Sequence, residues 1–284
     1  MERTKETEPV NSAFIHTHAR LGAFVVALGL VFLLEMYLQT GWLNVVVLPL
    51  LGLLFLATSV LDRHLGWLIA GCLFLGLGAA VAAFFSVFLK WSLLERIGIA
   101  LFAFGASWLL MVALSGLVLR RPTWWALVPG SVIAPVGLVF LATSLRVFDF
   151  ALYLPLGLGL GLLAWGLAAR LFGLIIPGSL LVGVAPGIYI AWGIPLETNY
   201  LARTGIMLVS FALGWALITL FSRRITYKFV WWPIIPGAVL AISGWGLYIG
   251  GNPGNAVAFI SNTGSIGLVL FGLYLLLMKR GIQQ

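Results

Sequence analysis

Apolar runs of roughly 18 to 25 residues follow one another along most of this sequence, with only short polar breaks between them. A helix rises about 1.5 Å per residue, so a run of that length crosses a hydrocarbon core about 30 Å thick. The repetition leaves no stretch in which a soluble domain fits. Composition agrees: 62% of the residues are hydrophobic and only 8% charged, where soluble domains carry roughly 25% charge. The pattern predicts an all-α integral membrane protein.

Spans are placed near 20–38, 42–61, 65–89, 93–119, 123–145, 149–168, 171–192, 201–221, 229–250 and 258–278, ten in all. This gives a short, disordered cytoplasmic tail over 1–19, a transmembrane domain over 20–278 and a cytoplasmic end over 279–284. The run that follows Arg20 is long for a signal-peptide core and lacks a small-residue cleavage site, so it reads as a retained span. On the side shared by both termini lie twelve of the sixteen basic residues, among them Arg63, Arg120, Arg121, Arg170, Arg223, Arg224 and Lys228. Lys90, Arg96, Arg146 and Arg203 face the other side, and each side holds four acids. By the positive-inside rule both termini are expected in the cytoplasm, in a bacterial inner (plasma) membrane. The net charge of +8 therefore reports orientation, and no nucleic acid partner is implied.

Self-similarity is the most informative pattern within the spans. Leu94 to Gly130 aligns without gaps to Leu201 to Gly237 at a separation of 107, pairing Arg96 with Arg203, Gly98 with Gly205, Trp108 with Trp215, and Trp124-Trp125 with Trp231-Trp232. The same offset pairs Arg63 with Arg170, Gly66 with Gly173 and Gly71 with Gly178. Gly71, Gly130, Gly178 and Gly237 mark a shorter unit of two helices and a turn, so the expected architecture is five tandem helical hairpins with a divergent first copy. Such copies share one membrane orientation, unlike the inverted repeats of many secondary transporters.

The repeated residues suggest roles. The Trp124-Trp125 and Trp231-Trp232 pairs follow a basic residue at the start of a span and read as interfacial anchors. Pro129, Pro177 and Pro236 recur at one depth and read as helix kinks. Glycine spacings such as Gly157 with Gly161 and Gly183 with Gly187 read as sites of close helix packing, or of dimerisation. On the outer face, Glu35, Glu95, Arg96, Arg146, Asp149, Glu197 and Arg203 form a sparse ring balanced in charge. Arg96 and Arg203, as repeat mates, lead a candidate site for a carboxylate, a phosphate or a lipid headgroup. The competing reading is interfacial snorkelling with local ion pairs.

Catalytic chemistry finds little support. His16 and His18 are two ligands on a tail, with His64 remote, so no metal site is expected. Cys72 stands alone inside an apolar run, as a small hydrophobe. Ser107, Ser131, Ser179 and Ser210 have no histidine or lysine at their depth to activate them and are expected to bond backbone carbonyls. No catalytic residue and no cofactor is assigned.

The (K/R)-x-x-W-W-(A/P)-(L/I)-(V/I)-P-G pattern at Arg121 and Lys228 resembles that of uncharacterised bacterial multi-span membrane proteins and, more distantly, the LiaI/LiaF-type transmembrane region. For LiaF-type proteins the resemblance implies an accessory role in envelope-stress signalling. Their soluble domain has no counterpart in this sequence, so architecture alone is carried over. The leading expectation is a non-enzymatic membrane scaffold, regulator or accessory subunit whose partners are the lipid bilayer and a membrane protein or second copy. The alternative is a small transporter or permease, and an enzyme acting on lipid comes third.

Overall fold

The computed structural model describes residues 43–85, 91–142, 146–196, 199–226 and 229–250, with single helical positions at 26, 29, 30, 33, 34, 36, 37, 267, 269 and 272. In chain order the elements are α1 (Leu43–Asp62), α2 (Leu65–Phe84), α3 (Leu93–Val118), a 3₁₀ turn (Trp124–Ala126), α4 (Leu127–Leu141), α5 (Val147–Ala168), α6 (Phe172–Ile188), a π turn (Tyr189–Gly193), α7 (Tyr200–Thr226) and α8 (Ile234–Gly250). Among the described residues, seven segments are long and apolar enough to cross a membrane, and Ile234–Gly250 is a shorter apolar helix. The chain is thus a helical, multi-pass membrane protein. Spans expected at 20–38 and 258–278 lie outside the described residues except at the single positions named.

Two compact units divide the chain, Met1–Thr123 and Trp124–Gln284. In the first, α2 packs on α1 and α3; in the second, α4 to α8 each pack on the next in sequence. Small residues lie inside and large ones outside. The buried residues of α2 are Leu68, Gly71, Cys72, Gly76, Gly78 and Ala80, whereas Leu50, Leu53 and Leu54 of α1 are exposed. That distribution suits lipid, where a leucine gains nothing by leaving acyl chains and close backbone contact supplies the attraction.

Glycine sets the helix crossings. A Cβ at Gly52 would meet the Leu75 backbone nitrogen at 2.5 Å, and one at Gly71 the Leu56 nitrogen at 2.9 Å. In the second unit, a Cβ at Gly159 would meet the Gly178 carbonyl at 2.9 Å and one at Gly178 the Leu163 nitrogen at 2.9 Å. These are the corresponding residues at the offset of 107. Likewise Gly76 lies against Ser107, and Gly183 against Gly214, where a Cβ would come within 2.5 Å of the Gly214 Cα. Two sets of three helices therefore use matched positions for matched contacts.

The turns after α1, α3 and α5 share a less usual feature. Arg63, Arg120 and Arg170 take φ of 49°, 53° and 55°, a left-handed conformation that costs an ordinary side chain about 1–2 kcal/mol and is usually left to glycine at a helix C-terminus. After α5 the Leu171 N–H returns to the Gly166 carbonyl at 2.9 Å, and after α3 the Arg121 N–H returns to the Ser115 carbonyl at 3.3 Å.

Buried serines tie these ends together. The Ser115 hydroxyl accepts the Thr123 N–H at 2.9 Å, lies 3.0 Å from the Thr123 hydroxyl and donates to the Val112 carbonyl. Its partner at the offset of 107, Ser222, accepts the Val230 N–H at 3.3 Å and donates to the Thr219 carbonyl at 2.7 Å. Ser59 donates to the His64 carbonyl at 3.3 Å. His64 in turn caps α2, its Nδ1 accepting the Gly66 N–H at 3.2 Å.

Candidate functional site

At the end of the second unit opposite the Arg170 turn, the chain leaves regular α-helix. Pro186, inside α6, has no N–H to continue the ladder. The helix then widens into the π turn, with the Tyr189 N–H shared between the Ala185 and Pro186 carbonyls. An inserted π turn re-aims the side chains that follow it and is frequent at functional sites. Ile194 is extended and starts the loop to α7, which opens where the Asn199 Oδ1 accepts the Ala202 N–H at 2.9 Å.

This path brings three side chains to one place. The Arg203 guanidinium carbon lies 5.9 Å from the centroid of the Trp192 ring, and Nη2 donates to the Leu196 carbonyl at 2.6 Å. Tyr200 stacks on the same indole, with centroids 6.0 Å apart and planes 30° from parallel. A cation over an aromatic face contributes about 0.5–1 kcal/mol when exposed and about 2 when desolvated. The arrangement fixes a half-buried cation beside an exposed phenol at the end of the helices. It can hold an anionic or carbonyl-bearing group while the indole prevents Arg203 from swinging into solvent.

Asp149, at the start of α5, is only 5% exposed. Its Oδ2 accepts the Arg146 N–H at 3.0 Å, so the carboxylate caps the helix, with the favourable end of the helix dipole adding to the bond. The neighbouring Phe148 Cβ approaches Gly193 so closely that a side chain there would meet it at 3.1 Å. In this way the start of α5 buttresses the π turn.

In the first unit, Glu95 and Ser92 form a reciprocal cap: the Ser92 N–H donates to the Glu95 carboxylate at 2.7 Å, and the Glu95 N–H to the Ser92 hydroxyl at 3.4 Å. Arg96 follows directly, its Nε buried without a hydrogen-bond partner. The residues 107 positions before Trp192 and Tyr200 are Phe85 and Leu93, so Arg96 lacks the Trp/Tyr pair that Arg203 has. Of the expected outer ring, then, Arg203 gains an aromatic clamp, Glu95, Arg146 and Asp149 are used at helix starts, and Arg96 sits with Glu95 in its own unit. Glu35 and Glu197 lie outside the described residues.

The remaining sites divide similarly. Trp125, Trp231 and Trp232 are 49%, 64% and 43% exposed, and Trp232 also packs edge-on against Trp215 at 5.9 Å. Pro129 and Pro236 are the third residues of α4 and α8, in the first turn, where an N–H has no intrahelical partner and its loss costs nothing. Pro177 lies inside α6, as Pro49, Pro135, Pro155 and Pro186 lie inside α1, α4, α5 and α6. Ser107 and Ser131 donate to carbonyls of their own helices, and Ser210 reaches across to the Gly183 carbonyl at 2.7 Å. Sequence reasoning missed Trp192, Tyr200, Ser115 and Ser222. The last two were visible as identical residues at the offset of 107, but the aromatic clamp occurs in one copy and left no repeated signal. Comparison with family models, curated proteins and solved structures gives no match for this chain.

Proposed function

We propose that this chain is a non-enzymatic membrane scaffold, regulator or accessory subunit, built of tandem hairpins in one orientation and lying in a bacterial inner membrane with both termini in the cytoplasm. The observation that carries the reading is the recurrence of one set of backbone-to-backbone crossings, Gly52 with Gly71 and Gly159 with Gly178. Helices locked this closely resist sliding, and they turn large side chains such as Leu213 and Leu220 outward, where other membrane segments can pack. Polar side chains in both units are spent on holding ends and crossings. Ten spans in five hairpins extend the same rule to both ends of the chain, and the LiaF-type resemblance favours an accessory role.

Native mass spectrometry of the protein released in mild detergent tests the proposal. A membrane protein retained at fixed stoichiometry supports it; a monomer that carries only a small solute contradicts it. The second reading, a small permease, draws on the Arg203–Trp192–Tyr200 clamp and the proline-containing α6. If it holds, the solute is lost in Arg203→Ala and its flux falls with it.

A further inference from the structure

We infer that the turns at Arg63, Arg120 and Arg170 are headgroup sites, each binding the phosphate of an acidic phospholipid. The three arginines occupy the same left-handed position after α1, α3 and α5. Glycine takes that conformation freely and is abundant here, with 34 residues, yet none is used at these turns. The arginine side chains are not needed to build the turns. Backbone bonds from Leu171 and Arg121 close two of them, and Ser59, Ser115 and the His64 cap hold the chain around the first two. All three arginines are exposed, so burial does not repay the strained backbone. Attraction to the end of the helix dipole would be supplied as well by lysine. A planar fork at headgroup depth gains something more, two parallel hydrogen bonds to phosphate oxygens. The sites sit at the opposite end of the helices from Arg203, and the inference rests on the multi-pass membrane fold alone, not on the scaffold reading.

The test is native mass spectrometry of the full chain released from nanodiscs of mixed phosphatidylglycerol and phosphatidylcholine, counting retained lipids. The wild type is expected to keep phosphatidylglycerol preferentially. A triple variant, Arg63→Gly, Arg120→Gly and Arg170→Gly, relaxes the backbone while removing the guanidinium groups. It is expected to melt no lower than the wild type and to lose roughly fivefold in phosphatidylglycerol affinity per turn, least at Arg63, which follows Asp62. Arg223→Gln with Arg224→Gln removes charge nearby and is expected to change the count little. Equal retention of the two lipids by the wild type overturns the inference whatever the variants do. So does undiminished phosphatidylglycerol on the glycine variant, or an equal loss on the glutamine control, which would reduce the effect to general surface charge.

Discussion

Ser115 and Ser222 show how little polar chemistry this chain needs when each group is well placed. Both are fully buried, and each hydroxyl accepts an N–H from the loop beyond its helix while donating to a carbonyl in its own last turns. Replacing either by alanine leaves a buried N–H unpaired. Ser115→Ala and Ser222→Ala are each expected to cost about 1–3 kcal/mol, read as a lower melting temperature in detergent, with Ser131→Ala as a milder control. The same pair marks what the sequence made legible at this scale. Residues that recur at the offset of 107 could be picked out without coordinates, whereas Trp192 and Tyr200 acquire their role only because a π turn folds one toward the other. Removing the indole by Trp192→Leu is expected to free Arg203 from its stacked position, and a rise in the reactivity of Arg203 toward phenylglyoxal would show it. Unchanged reactivity would mean that the Leu196 carbonyl alone holds the guanidinium.

Among the elements, helix limits in the middle of the chain followed closely from hydropathy, because polar breaks such as Arg63-His64 and Arg146 coincide with real ends. Hydropathy is blind to how the backbone is drawn within an apolar stretch. It therefore gave α8 five residues too many at its start, where Trp231 to Pro233 form a turn, and it missed the π turn at the end of α6. The crossings were partly legible, since glycines at Gly71 and Gly178 stood out, but their partners Gly52 and Gly159 did not. A Cβ at either partner would meet backbone that has no room to yield. Gly52→Val and Gly159→Val are each expected to destabilise by at least about 1–3 kcal/mol, whereas Gly246→Val, with open space around it, is expected to be tolerated. Thermal melts of the three proteins side by side compare them directly.

On the scale of the molecule, the account rests on matched triplets of helices, α1 to α3 and α5 to α7, that enter and leave the membrane in the same sense. Close crossings within each triplet and outward leucines suit a static role. Sequence could convey the repeat and the sidedness of charge, but not which side chains converge, since that depends on helix rotation. The most direct test of the shared orientation is single-cysteine labelling of the intact chain in a Cys72→Ser background, which removes the one native thiol, buried in α2. Cysteines at Arg63, Arg120 and Arg170 are predicted to react with a membrane-impermeant maleimide only after the cells are opened, while cysteines at Arg146 and Tyr200 react in intact spheroplasts. Labelling of positions 63 and 170 from opposite sides would contradict the account, because no tandem repeat in one orientation could place those turns in different compartments.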